Sequence, residues 1–170
     1  ALLANTLENV YKEDYSILLN QFIFKKYGMI NSTVFHKNLR VELVQPTSFF
    51  GIWDFDAYAG AGAIISTTED MASFVLANFN PANAELKLAQ EQTFSVNDNL
   101  QIGLSWHISQ VDENLWHWHN GGTGGYISYI MMDVENKKGV VLLSNLSLLD
   151  DEANLGLLDK LTGDLLASLY

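Results

Sequence analysis

The sequence predicts an α+β fold: an antiparallel sheet with flanking helices. Three observations carry that prediction. Over 1–26 and again over 66–92 the apolar residues recur at helical spacing. From Gln101 they alternate with polar residues, as in half-buried strands. After Leu149 the helical spacing returns.

Each element has a local reason. Residues 1–10 form an amphipathic helix, and Asp14 is placed to cap a second helix over 15–26. Two lysines and then Gly28 close that helix, as its dipole and its left-handed C-terminal position prefer. Residues 31–58 have no period, but the aromatics around Trp53 predict a packed loop. Ser66-Thr67-Thr68-Glu69 is a capping box with Ser66 as the cap, opening a helix that buries Met71, Phe74, Val75 and Phe79. Asn80-Pro81 ends it, and a short helix follows within 82–92. Four strands are expected at 102–108, 115–119, 126–133 and 139–144, the last two joined by a turn through Asn136 and Lys137. Asp150, Asp151 and Glu152 open a final helix, with Leu155, Leu158, Leu161, Leu165 and Leu169 on its inner face. One domain is expected, with a helix and loop region over 1–95, the meander over 96–149 and the closing helix over 150–170.

Composition removes several function classes. The 170 residues carry a formal net charge of −11. A surface that negative repels phosphate backbones, which argues against nucleic acid as a partner. There is no cysteine, so disulfides and thiolate metal sites are excluded. No metal cluster and no cofactor motif is expected from the spacing. No apolar run approaches the ~18–20 residues of a membrane span.

The stretch His119-Asn120-Gly121-Gly122-Thr123-Gly124-Gly125-Tyr126 raises the functional question. Glycine is a poor strand residue, so four of them before an apolar run mark either a turn or a place where something approaches the backbone. The stretch resembles the strand motif of the serine β-lactamase and penicillin-binding superfamily, written Lys-Thr-Gly or His-x-Gly there. It is most similar to the branch of class C β-lactamases, D-alanyl-D-alanine carboxypeptidases, D-aminopeptidases and related esterases. Four further segments agree in order. They are Phe22 to Met29, Ala59 to Met71, Gly103-Leu104-Ser105-Trp106, and Gly139 to Asn145. Two of them depart from the family pattern, with Lys26 in place of a proline and Ser105 in place of a glycine.

The resemblance implies a β-lactamase/transpeptidase-like sheet and a serine hydrolase that works through an acyl-enzyme on a small-molecule or peptide substrate. It assigns catalytic positions to His119 and Gly122, the latter through its main-chain N–H in an oxyanion hole. It assigns substrate-binding positions to Gly121, Thr123, Gly124, Tyr126 and Asn145. Thr123 either meets substrate or ties the turn, and Asn145 either meets substrate or caps its strand. One of Tyr126 and Tyr129 is expected at the rim of the cleft. His117 is expected on the strand face opposite His119, as a packed or surface histidine. Histidine in place of the family lysine argues against a carboxylate-bearing β-lactam as the preferred substrate.

No serine is followed three residues later by lysine, and no tyrosine two later by asparagine. The family's Ser-x-x-Lys and Tyr-x-Asn motifs are therefore expected upstream of Ala1, with the chain as the C-terminal portion of such a protein. An N-terminal segment or a second chain is expected to complete the sheet beside 139–144, and an open edge there would favour a homodimer or a swap. A non-catalytic peptide or cell-wall binding module is the alternative. The family implies a periplasmic, cell-surface or secreted location.

Overall fold

The computed structural model describes residues 1–147, 149–151 and 153–170. Helix α1 (Leu2–Tyr11) and helix α2 (Tyr15–Leu19) lie at the start. Helix α2 runs directly into a wider π turn over Asn20–Phe24, so the predicted 15–26 helix is not uniform. Leu19, Phe24, Tyr27 and Met29 from this region form a core with Leu86, flanked by Met71 and Phe74. Lys26 and the Tyr27 hydroxyl both bond Glu85, which ties the opening helices to a later one.

Helix α3 (Thr68–Asn78) starts one residue later than the capping box suggests. Thr67 is the cap, and its hydroxyl accepts from the Asp70 amide at 3.2 Å. Ser66 is diverted to Ser32, with 2.8 Å between their hydroxyl oxygens. Asp70 is buried and accepts from the Asn31 amide and the Ser32 hydroxyl, each at 2.7 Å. A buried carboxylate is tolerable only with such donors. Helix α4 (Ala84–Gln90) follows.

The sheet is an antiparallel meander in the order β1-β2-β3-β4-β5-β6. Its strands are β1 (Phe94–Asn97), β2 (Leu100–Ile102), β3 (His107–Val111), β4 (Asn114–Gly122), β5 (Ile127–Asp133) and β6 (Lys138–Ser144). Six strands replace the four expected. The predicted 102–108 strand is broken, because Gly103-Leu104-Ser105-Trp106 is a turn. The Gly103 N–H donates to Trp106 O at 2.8 Å, and the Leu104 N–H donates to Ala89 O at 2.9 Å. A Cβ on Gly103 would lie 2.6 Å from Ala89 O, so the turn sits directly on the end of α4.

Ser105 in that turn has φ 72, the left-handed region where a side chain costs about 1–2 kcal/mol. The family glycine at this position is thereby explained. Ser105→Gly is expected to stabilise the fold by up to about 1 kcal/mol, after the entropy glycine loses on folding. Urea unfolding of the two proteins measures it.

Helix α5 (Ala153–Ala167) covers one sheet face, with Leu166 against Trp116 and Met131 and Leu158 against Ile127 and Tyr129. Asp151 accepts from the Ala153 amide at 2.9 Å and caps it. Glu152, expected beside it, lies outside the described residues. The inner face is Leu158, Thr162 and Leu166, whereas Leu161, Leu165 and Leu169 are exposed. Leu155 and Leu158 face inward as expected, and beyond them the buried face is shifted by one residue from the expected leucines. The buried Thr162 hydroxyl is satisfied by donating to Leu158 O at 2.7 Å, which lets a threonine sit in the core face. Helix α3 covers the other sheet face, with Val75 among Trp106, Ile108, Ile130 and Met132. No described helix is long and apolar enough to cross a membrane.

Candidate active-site strand

The glycine stretch is the end of one strand and a tight turn, not the start of the next strand. Gly121 and Gly122 close β4, and β5 begins at Ile127. Thr123 to Tyr126 makes the turn. The Thr123 N–H donates to Tyr126 O at 2.8 Å, and the Thr123 hydroxyl accepts from the amides of Gly125 and Tyr126 at 3.4 and 3.2 Å. Of the two roles open to Thr123, the structure shows the tying of the turn.

Strand β4 has two different halves. Asn114 and Leu115 pair with β3 alone, and from Trp116 to Trp118 the strand pairs with both β3 and β5. Beyond His107 opposite Trp118, strand β3 has ended, and residues 119–122 pair only with β5. The last four residues of an interior strand therefore present an open backbone edge. The ladder alternates between residues that bond the partner strand and residues that face away. The Thr123–Tyr126 bond sets the phase, so His119 and Gly121 bond β5. Asn120 and Gly122 then turn their N–H groups outward, to the side that β3 has vacated.

The turn glycines have a different reason. A Cβ on Gly124 would lie 2.2 Å from Trp53 Nε1, and one on Gly125 would lie 2.6 Å from Pro46 Cβ and 2.7 Å from Gly51 O. The chain's own loop, residues 44–53, rests on this turn. The Tyr126 hydroxyl donates to Val44 O at 2.7 Å. Asn145 Nδ2 donates to Gln45 O at 2.9 Å, and Asn145 O accepts from the amide and hydroxyl of Thr47, both at 3.1 Å. Thr123, Gly124, Tyr126 and Asn145 thus gather at one place, where they hold the loop. Tyr129 points into the core, with its hydroxyl donating to Leu155 O at 3.0 Å.

His117 and His119 share one side of the pleat, which corrects the opposite-face expectation. Residues two apart lie on the same face of a strand. Here His117 is opposite Ile108 and Met132, and His119 is opposite Ile130, all of the face that α3 covers. His117 is buried, with Nε2 3.2 Å from Gln90 O. Burial holds its imidazole below the ordinary value, while the Gln90 and Leu115 carbonyls and the Asp133 charge work upward. The folded chain therefore binds this proton less readily than the unfolded chain. The stability His117 contributes is present above the unfolded value of about 6.5 and is lost as pH falls below it, toward the lower folded value. His117→Gln is expected to remove that acid-side loss, compared by urea unfolding at roughly pH 7.5 and pH 5.

His119 is exposed as a residue, yet its ring lies against that of His107, with centroids 5.7 Å apart. Burial first, and the His107 charge second, hold its imidazole below the ordinary value. At neutral pH it is uncharged. His107 is a site neighbour that sequence reasoning missed, although its register opposite Trp118 follows once the β3–β4 hairpin is drawn. Trp53, Pro46 and Gly125 were missed as well, because nothing local to residues 44–53 announces what they cover. Among the described residues no group of three metal-ligating side chains converges.

The comparisons agree with this geometry. A solved β-lactamase/D-alanine carboxypeptidase from Yersinia pestis, complexed with citrate, superposes with TM-score 0.75 at 22% identity, covering 99% of this chain and 53% of that one. A penicillin-binding protein from Bacillus halodurans gives TM-score 0.71 at 20% identity, covering 92% and 53%. A β-lactamase/D-alanine carboxypeptidase from Pseudomonas syringae gives 0.71 at 16%, covering 85% and 52%. The chain spans about half the length of these structures. No curated protein matches it. These likenesses establish the β-lactamase/transpeptidase-like fold. The Beta-lactamase family model matches residues 1–163, and the chain belongs to that family.

Proposed function

We propose that this chain forms the substrate-lining part of a serine hydrolase that acts on an ester, amide or β-lactam carbonyl. The observation that supports it most is the open edge of β4 at residues 119–122, with the Gly122 N–H turned outward. A substrate backbone can add to such an edge as a further strand. The Gly122 N–H then donates to the carbonyl oxygen as negative charge develops there. Gly121 and Gly122 leave room for that approach. His119 lines the entrance as a neutral group, which favours an ester or peptide over a ligand held by a carboxylate. Thr123, Gly124, Tyr126 and Asn145 act by fixing the rim loop.

The nucleophilic serine and its proton-transfer partners belong to a segment outside these 170 residues in this reading. The serine oxygen bonds the carbonyl carbon, the leaving group departs with a proton, and water releases the acyl group. The 170-residue chain alone is expected to show no turnover of a chromogenic ester or of a chromogenic β-lactam. Turnover that persists through purification controls overturns this division of labour. Among the described residues the far side of β6 carries no partner strand, and a preceding segment or second chain is proposed to pair there. Light scattering that finds only a 19.0 kDa monomer of the lone chain counts against that pairing. An exported, periplasmic or cell-surface location is proposed from the family, and fractionation of the native cell tests it.

The open edge also suits a non-catalytic module that captures an extended peptide. An encoded upstream Ser-x-x-Lys separates the two readings, since only the hydrolase needs it.

A further inference from the structure

His107 lies outside every motif that marks the family, yet it is the side chain most firmly set beside His119. Its ring stacks on Trp118, with centroids 4.3 Å apart and 18° between planes. Trp118 is itself fixed, with Nε1 donating to the Ser109 hydroxyl at 2.9 Å and its ring beside Trp116, Met131 and Leu166. The same His107 ring meets that of His119 at 5.7 Å and a 38° tilt. His107 Nδ1 is buried with no hydrogen-bond partner among the described residues. A rigid aromatic stack thus places one imidazole against another at the point where β3 ends and the open edge of β4 begins.

Two imidazoles this close oppose each other's protonation, because like charges at such a distance repel and partial burial weakens the screening by water. The groups around His119 offer no compensating anion. On β4 the nearest titratable neighbour on its face is His117, kept neutral by burial. On β5 its partner is Ile130, between Tyr129 and Met131. Among the described residues, His107 supplies the charge that acts on it.

We propose that His107 is a positioning residue for His119, clamped by Trp118 so that it sets the tilt of the His119 ring and denies the site mouth a second positive charge. The proposal rests on the hydrolase reading of the β4 edge and deepens it. The mouth accepts a carbonyl substrate whose neighbouring group is uncharged, and it gains affinity for a carboxylate only in acid, where His119 takes up a proton.

An imidazole NMR titration of the four histidines, from about pH 4 to 8, tests it on the chain itself. In the native chain His119 is expected to titrate below the ordinary imidazole range, held there by burial and by the His107 charge. In His107→Phe, which keeps an aromatic ring on Trp118, His119 is expected to titrate in one step displaced to higher pH. His107→Gln gives the same readout should the phenylalanine variant fail to fold. An unchanged His119 titration in a folded variant, with the Trp118 indole signal intact, overturns the proposal. Failure of the hydrolase reading is visible separately, as the absence of any effect of Gly122→Pro on turnover by a form of the protein that carries the nucleophile, while the effect of His107 on His119 persists.

Discussion

Leu166→Ala is expected to lower the unfolding free energy by about 2–5 kcal/mol, the usual range for deleting a fully buried leucine side chain. Leu166 has 0% exposure and fills the space between α5, Trp116 and Met131. The ring of Trp116 and the pleated backbone below it are too stiff to collapse into the space left behind. Leu165→Ala is the matched control, since Leu165 is 42% exposed. It is expected to cost well under 1 kcal/mol, as surface substitutions do. Urea unfolding of both variants decides which leucine stripe faces the sheet, and equal losses would contradict the packing described for α5.

The second large effect concerns Gly122. In a form of the protein that carries the nucleophile, Gly122→Pro is expected to lower kcat by about 10²–10³-fold, as loss of one oxyanion donor does elsewhere. Proline deletes the N–H. It breaks no bond to β5, because the ladder phase turns this amide away from that strand. Gly122→Ala keeps the N–H and adds only a methyl group, so it separates the donor from the space around it. The donor reading requires that alanine retain far more activity than proline. Equal losses in the two would assign the effect to crowding of the edge instead.

The architecture was legible where burial leaves a clear pattern. Helix α3 shows through its apolar period, and β5 and β6 show as short apolar runs because α3 covers one side of them and α5 the other. Strand β1 was not legible. All four of its residues are exposed, so Phe94 and Val96 alternate with polar residues without a buried face to confirm them. The Asn97-Asp98-Asn99 run was the available signal, since these residues favour turns. The α5 stripe failed for a different reason. A leucine-rich helix offers two adjacent apolar stripes, and the choice between them is made by the sheet, with Thr162 accepted because its hydroxyl bonds back to Leu158.

The site was legible as a place but not as a division of roles. Its composition marks the glycine stretch, yet only the register shows that β3 stops at His107 and leaves residues 119–122 unpaired on one side. Likewise Asn145 and Tyr126 are far in sequence from the loop at 44–47 that they hold, so their work is long-range.

One motif therefore carries two histories. Gly124 and Gly125 are kept small by Trp53, Pro46 and Gly51, residues of the same chain. Gly121 is likewise bound to its own chain, since a Cβ there would lie 3.1 Å from Ser128 Oγ. Gly122 stands where the β3 side of the strand is vacant. Across descendants of a common ancestor, the turn pair is free to change only in step with the loop, whereas Gly122 is released from that bond.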